Sequence, residues 1–241
     1  MINYFSIIIL KQKYMFDKIK LVVFDMAGTT VDEQNIVYKT LHKSIKKASI
    51  DVSLKQVLTH AAGKEKYKAI VDTISAVNPN IEIKEIATKI FIDFQKELDK
   101  AYENLDVKTF KGVLELLSLL RKKDVKITLN TGYNTRIANL LLNKLGWKKG
   151  QEYDYLVSAS DVENSRPHPD MILKAMQHFN IKGTANVLKA GDSAIDIEEG
   201  KNANCGISVG VLSGAQTKEE LLKANPDYIL DNLGDLITYF I

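Results

Sequence analysis

Short apolar runs alternate with segments of helical periodicity along most of the chain. Runs of this length, bounded by turn residues, are typical of buried parallel strands. Five of them occur, at Ile19–Asp25, Val125–Asn130, Tyr155–Ala159, Asn186–Ala190 and Gly206–Val211. Helical patterns separate the later strands, at Asn134–Leu145, Pro169–Phe179 and Ile195–Ala203, and a last helix and strand follow at Thr217–Ala224 and Tyr228–Leu230. This alternation predicts an α/β fold with a doubly wound parallel sheet.

The stretch after the first strand breaks this alternation. It shows no strand pattern, and helix-period patterns cover Asn35–Ile50, Leu54–Ala61, Lys64–Val77 and Lys84–Asn104. Ser53 can cap the second of these helices, and an Asn-Pro-Asn turn precedes the fourth. We therefore expect a Rossmann-like catalytic core formed by residues 15–32 and 109–241, with an all-helical domain inserted at residues 33–108.

The first residues carry an apolar run, MINYFSIIIL, whose place in the fold is uncertain from pattern alone. The run is too short to cross a bilayer. It also lacks the positive leader and the small-residue cleavage site of a signal peptide. Met15 opens the segment that leads into the first strand. We interpret residues 1–14 as an N-terminal extension outside the fold.

Composition limits the classes of partner. The chain has 241 residues, a net charge of +3 and basic residues spread along its whole length. Scattered Lys and Arg residues favour a small anionic substrate over nucleic acid. The single cysteine, Cys205, excludes an intrachain disulfide and agrees with a reducing cytosol. We expect a cytoplasmic protein that binds neither nucleic acid nor a membrane; no pattern specifies an oligomeric state.

Polar residues fall where the predicted strands end. In a doubly wound sheet, active sites lie beyond the carboxyl ends of the strands. Three carboxylates, one hydroxyl and one guanidinium occur at or shortly after those ends: Asp25, Asp192, Asp196, Thr131 and Arg166. Each alone could be a helix cap or a packing residue. Together, and in this order along the chain, they predict an active site.

The carboxylates predict phosphoryl chemistry supported by a cation. A carboxylate can attack phosphorus and divide one difficult step into two. Three carboxylates and an anionic substrate repel one another, so a cation must lie among them, and Mg²⁺ prefers oxygen ligands. We expect Asp25, Asp192 and the carbonyl of Ala27 to bind Mg²⁺, with Asp196 holding a metal-bound water.

The remaining polar groups are candidates for binding the substrate. Arg166 and the Thr131 hydroxyl can bind the phosphoryl oxygens. Backbone N–H groups can add hydrogen-bond donors. The candidates follow the first and second predicted strands directly and belong to Met26, Ala27, Gly28 and Gly132. Tyr133 is a further candidate for substrate contact, with ordinary packing beside the helix start as the alternative.

Four ordered segments carry a family resemblance. DMAGTTVD, LNTGYN, SRPHPD and GDSAID resemble the motifs of haloacid dehalogenase-type hydrolases. The resemblance implies that Asp25 is the nucleophile and forms an aspartyl-phosphate. It implies a motif-two hydroxyl at Thr131, a motif-three cation at Arg166 and a metal pair at Asp192 and Asp196. The helical insert then corresponds to the mobile cap of one class of these enzymes.

Within this superfamily the chain resembles the phosphonatase-like subgroup most. Ala27 stands where ordinary phosphatases carry an acid, and motif three has Arg166 in place of lysine. Lys66 follows Gly63 by three residues, as does the cap lysine with which phosphonoacetaldehyde hydrolases form a Schiff base. The chain departs from those enzymes in having Ala62 and Ala69 where they place methionine and histidine.

Several alternatives stay open at this point. Lys66 could form a Schiff base, bind a substrate anion from the cap, or belong to a solvated cationic face with Lys64 and Lys68. The substrate is a small phosphonate or phosphorylated compound. The reaction could be hydrolysis of a C–P bond or of a phosphate monoester. A non-catalytic protein that binds a phosphate ligand is the third alternative.

Overall fold

A computed structural model describes residues 13–103 and 105–241. Its main sheet has six strands, which are β1 (Leu21–Asp25), β4 (Lys126–Thr131), β5 (Tyr155–Ser158), β6 (Val187–Gly191), β7 (Ile207–Val211) and β8 (Tyr228–Leu230). All six are parallel, and their order across the sheet is β5-β4-β1-β6-β7-β8. The predicted doubly wound α/β core is confirmed, and β1 lies at its centre.

Strand β1 shows why this sheet is buried on both faces. All five of its residues are buried. Val22 and Phe24 join the larger hydrophobic core, whereas Leu21 and Val23 point the other way into a second core. Successive side chains of a strand alternate between faces, so an uninterrupted apolar run needs helices on both sides.

Helices cover the two faces and form the insert. The insert consists of α1 (Ile36–Lys47), α2 (Leu54–Ala61), α3 (Lys66–Val77) and α4 (Ile83–Glu103), which we call the cap. The core helices are α5 (Val113–Lys122), α6 (Thr135–Leu145), α7 (Asp170–His178), α8 (Ala194–Asn202), α9 (Lys218–Lys223) and α10 (Ile237–Phe240). Short 3-10 turns occur at Ala159–Asp161, Thr184–Asn186 and Leu233–Leu236. The four cap helices agree with the sequence prediction, whereas α5 was not predicted.

A second, two-stranded sheet joins the cap to the core. Strands β2 (Val31–Asp32) and β3 (Lys108–Thr109) pair antiparallel where the chain enters and leaves the insert. The Thr109 hydroxyl also donates to the Thr30 carbonyl at 2.8 Å. Strands of two residues are too short to show a period in the sequence, which is why this pair was not expected. The pair holds the two chain connections between the cap and the core next to each other.

The predicted N-terminal extension lies largely outside the described residues, since these begin at Lys13. Residues 13–17 are helical. Phe16 is buried and packs its ring against three aromatic rings of the C-terminal region, those of Tyr228, Tyr239 and Phe240. Within the described ranges, no helix combines the length and the apolar character needed to cross a bilayer.

The start of α2 gives a test of cap stability. The Ser53 hydroxyl accepts the Gln56 N–H at 3.2 Å, and the Gln56 side chain accepts the Ser53 N–H at 2.9 Å. Loss of such a cap costs about 1 kcal/mol. Ser53→Ala should therefore lower the free energy of unfolding by about that amount in urea denaturation. Ser75→Ala is the control, because the Ser75 hydroxyl bonds only within α3, and it should change stability by less than about 0.5 kcal/mol.

Candidate active site

Three carboxylates meet beyond the carboxyl ends of the two central strands. Asp25 is the last residue of β1, Asp192 directly follows β6, and Asp196 lies in the first turn of α8. Because β1 and β6 are parallel neighbours, their ends deliver these side chains to one place. Carboxylate oxygens of all three lie within 4.8 Å of one another, and all three side chains are buried.

The charges in this cluster are unequally compensated. Burial raises the pKa of Asp25 to about 6, and the nearby Asp196 adds to the shift. Burial, with Asp25 and Asp196 as neighbours, also raises the pKa of Asp192 well above its ordinary value. Burial acts in the same direction on Asp196, but Arg166 and Lys189 hold its pKa below the usual value. The three side chains bring several carboxylate oxygens together, and their negative charge is only partly compensated by protein cations. Mg²⁺ prefers oxygen ligands of this kind.

The loop after β1 approaches Asp192 closely. Gly28 has a positive φ of 80°, and a Cβ there would lie 2.5 Å from Asp192 Oδ2, so only glycine fits. The same Oδ2 accepts the Ala215 N–H at 2.6 Å. The Gly28 N–H donates to the Val31 carbonyl at 2.9 Å within the turn. This leaves the amides of Met26 and Ala27 as the candidate donors of the loop.

Arg166 links the carboxylates to the rest of the core. Its side chain is fully buried. Nη1 donates to Asp25 Oδ1 at 2.7 Å and lies 2.9 Å from Asp196 Oδ1. Nη2 donates to Asn130 Oδ1 at 2.7 Å, and Nε donates to Glu199 Oε2 at 3.0 Å. All three nitrogens of the guanidinium are thus held by protein groups, and Nη1 contacts Asp25. A motif-three cation is expected at this position beside the nucleophile.

Thr131 and Gly132 place the second motif beside β1. Thr131 ends β4, next to the position where Asn130 pairs with Asp25. The Thr131 hydroxyl is buried and accepts the Tyr133 N–H at 3.2 Å, so its own hydrogen is available to a substrate oxygen. A Cβ on Gly132 would lie 2.8 Å from the Gly63 carbonyl. The cap therefore contacts this loop directly.

Lys66 is the cap side chain that enters the site. It begins α3, is 8% exposed, and donates to the Lys64 carbonyl at 2.6 Å. Its Nζ lies 5.1 Å from the ring centroid of Tyr133 and 5.5 Å from that of Tyr38. Burial lowers the pKa of Lys66 to about 8, although nearby carboxylates, that of Asp25 among them, oppose the shift.

The neighbouring lysines behave differently from Lys66. Lys64 and Lys68 both pair with Asp72, at 2.5 and 3.3 Å. Lys68 is largely exposed, as expected of a cationic surface. Burial separates Lys66 from that surface, so a solvated cationic face does not describe it.

A family model for haloacid dehalogenase-like hydrolases matches residues 22–209. The chain belongs to this family. Phosphonoacetaldehyde hydrolase of Bacillus cereus (strain G9842) is 27% identical over 225 residues, which cover 85% of this chain and 81% of that protein. A bifunctional phosphonoacetaldehyde hydrolase/aminoethylphosphonate transaminase of Clostridioides difficile is 30% identical, over 87% of this chain but only 35% of its own length.

Solved structures share the fold of this haloacid dehalogenase-like hydrolase. A phosphonoacetaldehyde hydrolase-like protein from Oleispira antarctica superposes with a TM-score of 0.76 at 22% identity, over 92% of this chain and 91% of its own. A predicted phosphoglycolate phosphatase from Haemophilus somnus gives a TM-score of 0.75 at 19% identity, over 92% and 97%. These structures therefore show that the hydrolase shares its fold with proteins of both descriptions.

Three residues of this hydrolase's buried network escaped the sequence analysis. Lys189 Nζ donates to Asn130 Oδ1 and to Asp196 Oδ1, both at 2.8 Å, and lies 3.3 Å from Glu199 Oε2. The Asn130 amide donates to Glu199 at 2.9 Å. A lysine inside the apolar strand VLKAG was the available signal, because a charge in a buried strand requires partners. Glu199, three residues after Asp196, shares its helix face.

A fourth unforeseen residue is Glu33, beside Lys66. Its side chain is 1% exposed and accepts the Val37 N–H at the start of α1 at 3.3 Å. Burial raises the pKa of Glu33 to about 7, although the α1 amides and the charge of Lys66 oppose the shift. Its position directly after Asp32, at the entry to the cap, offered no pattern from which burial could be predicted.

The Lys189 network generates a stability prediction. Removing one partner from a buried charge network costs about 3–5 kcal/mol, because the remaining charge stays buried without compensation. Lys189→Met should lower the free energy of unfolding by that amount in denaturant titrations. The deficit should shrink as the pH is lowered, since protonation of Asp196, whose pKa Arg166 and Lys189 hold below its usual value, removes uncompensated charge.

The matched control is Lys126→Met at the start of β4. Lys126 forms an exposed pair with Asp124 at 2.7 Å, and such pairs contribute less than about 1 kcal/mol. Equal effects of the two substitutions would contradict a special role for the buried lysine.

Proposed function

We propose that this hydrolase is Mg²⁺-dependent and that Asp25 attacks the phosphorus of a small organophosphorus substrate, forming an aspartyl-phosphate that water then hydrolyses. The observation that carries the proposal is the cluster of three buried carboxylates within 4.8 Å, with Arg166 at 2.7 Å from the nucleophile. The names of the phosphonoacetaldehyde hydrolases that it resembles support the substrate class.

In this proposal the metal would be held by Asp25, Asp192 and the carbonyl of Ala27, and Asp196 would hold a water bound to it. When bound, Mg²⁺ supplies the positive charge that the cluster lacks and polarises the phosphoryl group. Asp196 is the carboxylate already compensated by protein cations. This agrees with a role in orienting water, whereas Asp192, which forms no ion pair within the described chain, is suited to direct binding.

The substrate phosphoryl group is bound by donors that are already in place. Arg166 holds one Asp25 oxygen and can share its Nη1 with a phosphoryl oxygen. The Thr131 hydroxyl and the amides of Met26, Ala27 and Gly132 complete the set. Donors fixed before the reaction stabilise developing charge without reorganisation, and the buried network around Arg166 supplies that rigidity.

Cleavage of a C–P bond requires an electron sink, and Lys66 can provide one. Its neutral amine would attack the substrate carbonyl and expel water, giving an iminium. The pair of electrons from the C–P bond would then pass into that iminium as an enamine while phosphorus bonds to Asp25. Proton uptake and hydrolysis would return the amine and the aldehyde product. The pKa of about 8 leaves part of Lys66 neutral near physiological pH.

Hydrolysis of a phosphate monoester is the second candidate. The buried Ala62 and Ala69 favour it, because they stand where phosphonoacetaldehyde hydrolases carry methionine and histidine. With Ala27 lacking a carboxyl group, the leaving oxygen needs another acid. Protonated Lys66, which reaches the site from the cap, can serve. The non-catalytic alternative loses its support, since the family consists of hydrolases and all three carboxylates are retained.

Loss of the nucleophile or of the metal should abolish turnover. Asp25→Asn should lower kcat for acetyl phosphate in Mg²⁺ by on the order of 10³-fold or more, since a carboxamide cannot attack phosphorus. Excess EDTA should stop the wild-type reaction, and added Mg²⁺ should restore it. Asp51→Asn, at an exposed cap position, is the control. Full activity in excess EDTA would contradict the metal-assisted mechanism.

Trapping distinguishes the two reactions at Lys66. Incubation with phosphonoacetaldehyde and borohydride should reduce the iminium, inactivate the enzyme, and place the added mass on the Lys66 peptide. Because only the neutral amine attacks, the trapping rate should rise with pH up to about 8 and then level. Lys66→Arg should abolish trapping, whereas Lys68→Arg on the exposed face should not.

The opposite result identifies the monoester reaction. If no adduct forms but the wild type hydrolyses small phosphate esters, the C–P mechanism is wrong. Lys66→Arg should then lower that activity if Lys66 is the acid, because arginine does not give up its proton, and retained activity would show that Lys66 acts through its charge alone.

A further inference from the structure

An apolar cavity of about 260 Å³ lies between the cap and the core, next to Lys66. One wall is the inner face of α4, and the opposite wall is formed by the loop after β4 and the start of α6. The apolar side chains of these walls are those of Phe91, Phe94, Leu98, Tyr133 and Ile137. The mechanism proposed above uses none of this space.

The cavity is large compared with a two-carbon substrate group. A protein cavity of about 150 Å³ lined by Leu, Ile and Phe holds a benzene molecule. The cavity here is larger and is lined by similar residues. A two-carbon aldehyde would leave most of it unfilled, whereas an aromatic ring or a branched alkyl group would contact both walls.

The polar residues around the cavity are mostly committed to other partners. The Asn134 side chain accepts the Ile137 N–H at 2.9 Å and caps α6. The Glu65 side chain accepts two backbone N–H groups at the start of α3. Arg136 pairs with Asp99. The polar groups that remain are those of Lys66, Gln95 and Ser160, while apolar atoms form the larger part of the lining, so the interior favours a ligand that is mainly apolar.

The cavity adjoins the candidate catalytic residues through two of its lining residues. Lys66 and Gly132 are part of its lining. Gly132 directly follows Thr131, and the Lys66 ammonium is close enough to Asp25 to be influenced by its charge. A molecule whose phosphorus lies at Asp25 would therefore extend past Lys66 into the cavity.

We propose that this cavity binds the organic part of the substrate, and that this part is an apolar group of about the size of an aromatic ring. The inference rests on the proposed function and narrows its substrate class to aryl or branched-alkyl phosphonates and phosphates. Lys66 would then contact the bridging oxygen of such a phosphate ester, or a carbonyl group carried by such a phosphonate.

A series of phosphonates that lack a carbonyl group tests the cavity. Methyl-, ethyl-, butyl- and benzylphosphonate are measured as competitive inhibitors of acetyl phosphate hydrolysis in Mg²⁺. Each buried methylene should tighten binding by about three- to fourfold. Benzylphosphonate should bind at least about tenfold more tightly than methylphosphonate. Equal inhibition along the series would overturn the proposal.

Two tryptophan substitutions on α4 locate the effect. Gln95 lies at the cavity and is half-buried, whereas Ile92 is 49% exposed on the outer face of the same helix. In calorimetric titration, Gln95→Trp should abolish the preference for benzylphosphonate, because the indole fills the space. Ile92→Trp should keep both that preference and acetyl phosphate turnover. A preference that survives Gln95→Trp would place the apolar site elsewhere and overturn the proposal.

Failure of the proposed function can be separated from failure of this inference. If acetyl phosphate is not hydrolysed, the catalytic proposal fails, and calorimetric titration of the same phosphonates into wild type and both variants still measures the cavity. Tighter binding of benzylphosphonate that is lost in Gln95→Trp would support the cavity, and uniform binding would reject it.

Discussion

The structure of the core depends on concentrating negative charge in a buried place. Asp25, Asp192 and Asp196 lie together because two neighbouring strands end at the same edge of one parallel sheet and α8 begins there. Burying a carboxylate costs several kcal/mol unless a partner compensates it. Two fully buried cations, Arg166 and Lys189, compensate part of this charge and no more. The remaining demand for positive charge is what a divalent cation can satisfy.

The network behind the carboxylates explains how a guanidinium can be held rigidly at the reaction centre. Glu199 and Asn130 accept hydrogen bonds from Arg166 on the sides that face away from Asp25. Lys189 bonds to both Asn130 and Asp196 and completes the arrangement. Every hydrogen bond in such a network lowers the freedom of its neighbours, so the contact with Asp25 is preorganised.

In the proposed function, the cap would contribute specificity to chemistry that the core supplies. Its contact with the core is close: a Cβ on Gly63 would lie 2.3 Å from Ile195, and one on Gly132 would meet the Gly63 carbonyl. Glycine at both positions lets the cap come close enough for Lys66 to be buried. The same approach encloses the apolar cavity beneath α4. Family members can share one phosphoryl site and differ in the organic group that they accept, because the two functions reside in different domains.

The sequence alone determined the parallel core, the helical cap and the principal carboxylates. Buried parallel strands need apolar runs, and such a sheet leaves its chemistry at the strand ends, so Asp25, Asp192 and Asp196 could be located by pattern. Helix α5 was missed although its buried leucines recur at helical spacing, and the β2–β3 pair is too short to have a period.

Only the tertiary structure decided what surrounds those strand ends. Lys66 and Lys68 have the same chemistry and nearly the same sequence context, yet one is buried and the other exposed. The burial of Glu33, the partners of Lys189 and the apolar cavity likewise depend on which helix faces meet across the cap and core. Sequence periodicity shows which residues share a face of a helix or strand. The partners of those side chains, their burial and the resulting pKa values are decided only when distant segments pack against that face.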